Sequence, residues 1–246
     1  MNAGNTTLDI DAGNSRVKWR LLRDGRTHRG AFAHHGRVET LNELPAAPVD
    51  RIRVANVASF GRPEALGEAL RDRYGVVPIF AATSKTCGEL TCGYAEPSRL
   101  GVDRWLAMIA ARRLTTNAFA VADLGTAATL DFVGATGLHH GGYIVPGLQS
   151  MVDALFRRTK DVHVGFEDPG RLEPGSNTLD AVNRGVLAML RDFVESSVDR
   201  FERTHGLDRV ALFVSGGDAD VVAPHLQRLH SVVPDLVLDG LSIAIA

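Results

Sequence analysis

The sequence predicts an α/β fold built from a duplicated unit with a mixed sheet in each copy. The pattern Asp-x-Gly-(Asn/Thr)-(Ser/Ala) occurs twice, at Asp11-Ala12-Gly13-Asn14-Ser15 and at Asp123-Leu124-Gly125-Thr126-Ala127. Each copy lies between an apolar strand that enters and an alternating strand that leaves, so each half opens as a strand meander, and the repetition indicates internal duplication. After the first meander, helix and strand patterns alternate, as in a mixed sheet covered by helices. The 246 residues suffice for one large or two modest domains.

The turns also carry chemistry. Glycine lets a backbone approach a ligand closely, and a turn of exposed N–H groups cradles an anion. A carboxylate beside a phosphate is repulsive unless a divalent cation lies between them, and Mg²⁺ binds one or two carboxylates together with substrate phosphates. The two turns therefore read as phosphate-gripping hairpins facing each other across a cleft. Ordinary β-turns with surface Asp and Gly are the simpler alternative, and the second copy weighs against it.

In chain order, residues 6–10 form a strand into the first turn. Val17, Trp19 and Leu21 alternate with Lys18 and Arg20, giving a half-buried returning strand. Lys18 lies on its polar face, where it reaches turn phosphates or faces water. Asp24-Gly25 signals a hairpin into a third strand over 27–33. A short helix over 38–44, a buried strand over 52–57, a helix over 63–74 with Pro63 in its first turn, and a strand over 76–80 follow. Residues 84–100, with Cys87, Gly88, Cys92, Gly93, Tyr94 and Pro97, read as a functional loop or lid.

Gly101-Val102-Asp103-Arg104-Trp105 opens a helix through Leu114. Asp103 at its start is an N-cap or a general base. The second meander spans 118–145, with Gly141-Gly142 and Pro146-Gly147 allowing close backbone approach, and a helix over 148–158 follows. The longest helix runs from Thr178 to about Thr204, striped by Leu179, Val182, Val186, Leu190, Phe193, Val194, Val198 and Phe201; the stripe suits a dimer element or simple core burial. A strand over 210–214 enters Ser215-Gly216-Gly217-Asp218, a junction able to hold a nucleoside or phosphate or to be a tight loop. A helix over 219–230 and a last strand over 236–239 complete the expected order.

Composition is that of a soluble globular protein: 45% hydrophobic, 23% charged and a formal net charge of −2. Nothing in the charge favours nucleic acid; Arg112-Arg113 and Arg157-Arg158 with Lys160 read as solvated helix faces. No apolar run is long enough to span a bilayer, and Met1–Asn5 lacks the features of a secretory signal, so a cytoplasmic protein without a membrane partner is expected. Cys87 and Cys92 form one Cys-x4-Cys pair, read as reduced thiols rather than a zinc site. The adjacent pairs His34-His35 and His139-His140 would point to opposite strand faces and not chelate together. P-loop, dinucleotide and nucleophile-elbow motifs are absent.

Taken together, Asp11–Trp19, Gly101–Trp105, Asp123–Ala127, Gly141–Gly147 and Ser215–Asp218 resemble, in order and spacing, the type III pantothenate kinases, including the branch called Bvg accessory factor, within the acetate/sugar-kinase, heat-shock-protein and actin superfamily. The resemblance implies two duplicated actin-like (ribonuclease H-like) domains, 1–116 and 117–246, each a mixed five-stranded sheet with flanking helices and a nucleotide cleft between them. It implies ATP-dependent phosphorylation of pantothenate, the first step of coenzyme A biosynthesis. On that basis ATP would be bound by Asp11, Ala12, Gly13, Asn14, Ser15, Arg16, Val17, Lys18 and Thr126. Pantothenate would be bound by Tyr94, Gly101, Val102, Asp103 and Arg104, with Asp103 as the base. Asp11 would hold Mg²⁺ through water, and Asp123 a monovalent cation, K⁺ or NH₄⁺. A homodimer is implied, with Thr178 reaching the partner's substrate. The competing readings are a kinase of another small hydroxyl substrate and a nucleotide-binding regulatory accessory protein.

Overall fold

A computed structural model describes residues 6–57, 62, 64–156 and 165–246; Pro63 and the Arg157-Arg158-Lys160 cluster lie outside them. The chain forms two compact units. The first comprises Met1–Gly88, Tyr94–Ala110 and Asp235–Ala246, and the second Glu89–Gly93 and Ala111–Pro234.

In the first unit, β1 (Thr7–Ala12), β2 (Arg16–Arg23) and β3 (Arg26–Ala33) make the expected antiparallel meander. Asp24 and Gly25 both have positive φ (51° and 72°), the geometry of the tight hairpin expected from Asp-Gly. β4 (Arg51–Asn56) pairs parallel with β1. Helix α1 (Ala65–Tyr74) ends at Gly75, whose left-handed backbone returns an N–H to the Arg71 carbonyl. β5 (Ile79–Phe80) is shorter than the strand expected over 76–80. The strand order is β3-β2-β1-β4-β5. Leu8, Ile10, Val17, Leu21, Ile52 and Val54 pack with Leu66 and Leu70 of α1.

Residues 84–100 are as irregular as expected: two-residue strands β6 (Thr86–Cys87) and β7 (Leu90–Thr91), then a 3₁₀ turn at Pro97–Arg99. Helix α2 (Val102–Leu114) follows. The second unit repeats the first design with β8 (Phe119–Leu124), β9 (Ala127–Val133) and β10 (His139–Pro146), the helices α3 (Leu148–Phe156) and α4 (Thr178–His205), and β11 (Ala211–Ser215). Asn177 caps α4 by accepting the Asp180 N–H at 2.9 Å, and Gly206 closes it in the left-handed region. Val186, Leu190, Val194, Val198 and Phe201 of α4 pack into the core of this unit, while Leu179 stays exposed.

Two expected elements differ. The helix expected over 219–230 is one turn, α5 (Ala219–Val222), followed by a 3₁₀ turn at Ala223–His225. Pro224 cannot donate a helical hydrogen bond, and the chain goes on into β12 (His230–Val232), which pairs parallel with β11. The second sheet thus has the order β10-β9-β8-β11-β12, the exact counterpart of the first. The strand expected at 236–239 is the start of helix α6 (Leu236–Ala244). Its apolar run is buried as a helix because Gly240 lets it approach α2: a Cβ there would lie 1.9 Å from the Leu106 carbonyl oxygen. Helix α6 belongs to the first unit, whereas the division at 116/117 counted it with the second.

That helix also alters the reading of β2. Arg20, expected on a solvated face, is buried beneath α6. The carboxylate of Asp9, fully buried, accepts from Arg20 Nε and Nη2 (3.2 and 3.0 Å) and from Arg53 Nε and Nη2 (2.7 and 3.1 Å). Arg20 continues to Asp239 and to the Leu238 carbonyl, and Arg53 to the Ser242 and Ile245 carbonyls.

Candidate active site

The first glycine turn sits where β1 hands over to β2. Asp11, partly buried, lies opposite Lys18 across the antiparallel pair. Gly13 closes the turn by donating its N–H to the Arg16 carbonyl at 3.0 Å. The glycine amide is therefore used inside the turn, and an anion would meet the N–H groups of the residues after it. Asn14 and Arg16 are exposed, Ser15 and Lys18 partly so. Ala12 and Val17 are fully buried in the core, so of the residues expected around ATP these two can offer only backbone.

His34, at the end of β3, supports this turn from below. Its ring Nε2 lies 2.7 Å from the Gly13 carbonyl oxygen, its Nδ1 accepts the Gly36 N–H at 2.9 Å, and its own N–H reaches the Ser15 carbonyl at 3.2 Å. The sequence drew attention to His34 only as half of an adjacent pair, and no local pattern links it to a turn 21 residues away.

The same unit gathers the residues expected around pantothenate. Gly101 immediately precedes α2 and accepts the Trp105 N–H at 3.1 Å. Asp103 is therefore inside the first helical turn rather than at the cap; its Oδ1 accepts the Arg104 N–H at 2.8 Å. A Cβ on residue 101 would come within 2.6 Å of that carboxylate oxygen, so glycine leaves Asp103 its room. Buried Arg104 donates Nη1 to the Tyr94 hydroxyl at 3.2 Å, with its guanidinium 5.9 Å from the ring centroid. Val102 is buried.

The second unit carries the second turn. Asp123, next to last in β8, lies between Thr129 of β9 and Ser215 of β11. Gly125 donates its N–H to the Ala127 carbonyl at 3.2 Å, so this glycine too is closed onto its own loop, one residue tighter than Gly13. The Thr126 carbonyl accepts from the Gly147 N–H at 3.1 Å and from the Ser150 hydroxyl at 2.7 Å, leaving Thr126 itself exposed. Gly147 cannot be larger, since a Cβ would stand 1.7 Å from the Gly125 carbonyl oxygen. Gly216 (φ 99°) passes just as close to Leu124, and Asp218 donates its N–H to the Leu124 carbonyl at 2.9 Å. Burial pushes the Asp218 carboxyl above its ordinary range. Three glycine-bearing loops thus meet at the end of β8, while Thr178 is exposed at the first residue of α4.

Comparisons with known proteins give the family of the chain. The family model of type III pantothenate kinase matches residues 7–200. The chain is similar to the type III pantothenate kinase of Pseudomonas fluorescens strain SBW25, with 37% identity over 96% of this chain and 98% of that protein. With the type III pantothenate kinase of Ectopseudomonas mendocina it shares 39% identity over 96% and 98%. A structure described as a Baf family transcriptional activator from Campylobacter jejuni superimposes with a TM-score of 0.62 at 19% identity, over 97% of this chain and 96% of that one, a likeness of fold. The fold is α/β, with two mixed five-stranded sheets flanked by helices. With matched segments that take in both Asp-x-Gly turns and the Gly-x-Asp-Arg helix start, the chain belongs to the type III pantothenate kinase family.

Proposed function

We propose that this protein transfers the γ-phosphoryl group of ATP to the primary hydroxyl of pantothenate, giving 4′-phosphopantothenate, the first committed intermediate of coenzyme A biosynthesis. Family membership supports the reaction, and the observation that carries the assignment to residues is the repeated turn: a carboxylate, then a glycine closed onto its own loop, at both Gly13 and Gly125. Phosphoryl transfer asks chiefly for positioning and neutralisation of charge. The loop Asp11–Lys18 and Thr126 would supply backbone N–H groups and the Lys18 ammonium to the phosphates.

Asp103 would accept the proton of the pantothenate hydroxyl as the new P–O bond forms. Arg104 and Tyr94, already joined by a hydrogen bond, would position the acceptor beside it. Among the described residues no group of three or more His, Cys, Asp or Glu could hold a metal ion. Mg²⁺ would sit at a single carboxylate, Asp11, sharing water and substrate phosphates, and a weakly held K⁺ or NH₄⁺ at Asp123. The cations would offset phosphate charge. The protein would act as a homodimer, with Thr178 completing the partner's pantothenate site. No described helix is long and apolar enough to cross a membrane, and a cytoplasmic setting suits a biosynthetic kinase.

The test is phosphate transfer from ATP to pantothenate with Mg²⁺, with and without K⁺, by the wild type and Asp103→Asn. K⁺-dependent turnover that falls by about 10²–10⁴-fold in the variant, with ATP binding retained, is expected of a lost general base. Unchanged turnover removes Asp103 from that role. No turnover by folded, ATP-binding wild type would direct attention to another hydroxyl substrate or to a regulatory role.

A further inference from the structure

We infer that His34 is a positioning residue for ATP, fixing the first phosphate loop through one defined ring tautomer. The inference rests on the reading of Asp11–Lys18 as that loop. His34 is 1% exposed and has both ring nitrogens engaged. The Gly36 backbone N–H can only donate, so Nδ1 must accept and carries no proton. The ring proton is therefore on Nε2, where it donates to the Gly13 carbonyl at 2.7 Å.

The surrounding backbone is shaped for this. His35 and Gly36 both have positive φ (48° and 72°), which turns the Gly36 N–H back onto the ring. A non-glycine residue in that region is uncommon, and the tight turn there is held by the Arg37 N–H on the His34 carbonyl at 2.8 Å. His34 also donates its own N–H to Ser15. It thus grips the loop at two carbonyls on either side of Asn14. With the Gly13 carbonyl drawn down to His34, the Asn14 N–H, trans to it across the same planar peptide, is oriented to the opposite side, where an anion would bind. A histidine that merely filled space would need no fixed tautomer and would leave ATP affinity alone.

The two amide substitutions separate these roles. Gln places a donor near the Nε2 position, and Asn places an acceptor near the Nδ1 position. His34→Asn is expected to raise the Kd and KM for ATP by about tenfold, the weight of one lost hydrogen bond, with the KM for pantothenate unchanged. His34→Gln is expected to recover most of that loss. Wild-type ATP affinity in both variants, or equal weakening in both, overturns the role. Failure of the wild type to bind ATP overturns the reading of the loop itself, and the role with it. Should His34→Asn not fold, ¹⁵N spectra of histidine in the wild type provide the second measurement. The Nε2-protonated tautomer is expected, and an Nδ1-protonated ring at residue 34 overturns the inference.

Discussion

Gly216 and Gly217 are neighbours in one loop and have opposite tolerances. At Gly216 the backbone is left-handed and a Cβ would lie 2.1 Å from the Leu124 carbonyl oxygen; at Gly217 a Cβ meets nothing within 4 Å. Gly216→Ala should therefore destabilise the second unit by about 2 kcal/mol or more, from strain and overpacking together, while Gly217→Ala should leave the thermal midpoint unchanged. Differential scanning calorimetry of the two variants checks this, and equal midpoints would refute it. The sequence announced these loops because glycine beside a carboxylate at a strand end is a local pattern. It could not announce which glycine is obligatory, since that depends on the approach of Leu124, some ninety residues earlier. Asp103 was legible as the acid of a helix start, and its place within the first turn became visible only with the Arg104 and Trp105 amides in view.

Elements were legible where their period was regular and were misread where burial came from another element. The meanders and α4 follow alternation and a helical stripe, both visible in sequence. Helix α6 does not: Leu236-Val237-Leu238 is a continuous apolar run, equally suited to a strand, and its helical state follows from packing on α2 through Gly240. The polar face of β2 is buried at Arg20 for the same reason, because α6 covers that residue, while Lys18 stays partly exposed. Burial works against the Arg20 charge, and hydrogen bonds to Asp239 and Asp9 outweigh it, so this guanidinium is held more firmly charged than a free one. Arg20→Met would leave Asp9 buried with half of its compensation. A cost of about 3–5 kcal/mol is expected for breaking such a pair by removing one partner, read as a lower midpoint in urea unfolding. An unchanged midpoint would mean that Arg53 alone satisfies the carboxylate.

Among the described residues the two five-stranded sheets have matching orders, β3-β2-β1-β4-β5 and β10-β9-β8-β11-β12. The duplication shows in sequence as two short motifs, and in structure as the same topology carried by largely different side chains. What breaks the repetition is the return of the last residues, Asp235–Ala246, to the first unit. A chain ending at Pro234 would lose the helix that meets Arg20 and Arg53 and packs on Leu106. Limited proteolysis should then cut within β1–β5 well before the second unit, whereas resistance equal to that of the full chain would show that the helix is dispensable.

The position of α6 has a consequence for biogenesis. Synthesis proceeds from the N-terminus, and domains generally fold as units while the chain emerges. Here the first unit to be started is finished only after the second: its Arg20 and Arg53 wait for the carbonyls of Leu238, Ser242 and Ile245, which are made after β12. A prematurely terminated chain would carry every residue of the first phosphate loop and of the Asp103 helix, yet expose a charged cluster built for burial. Closure of the first unit over Arg20 and Arg53 thereby depends on residues synthesised after the whole of the second unit.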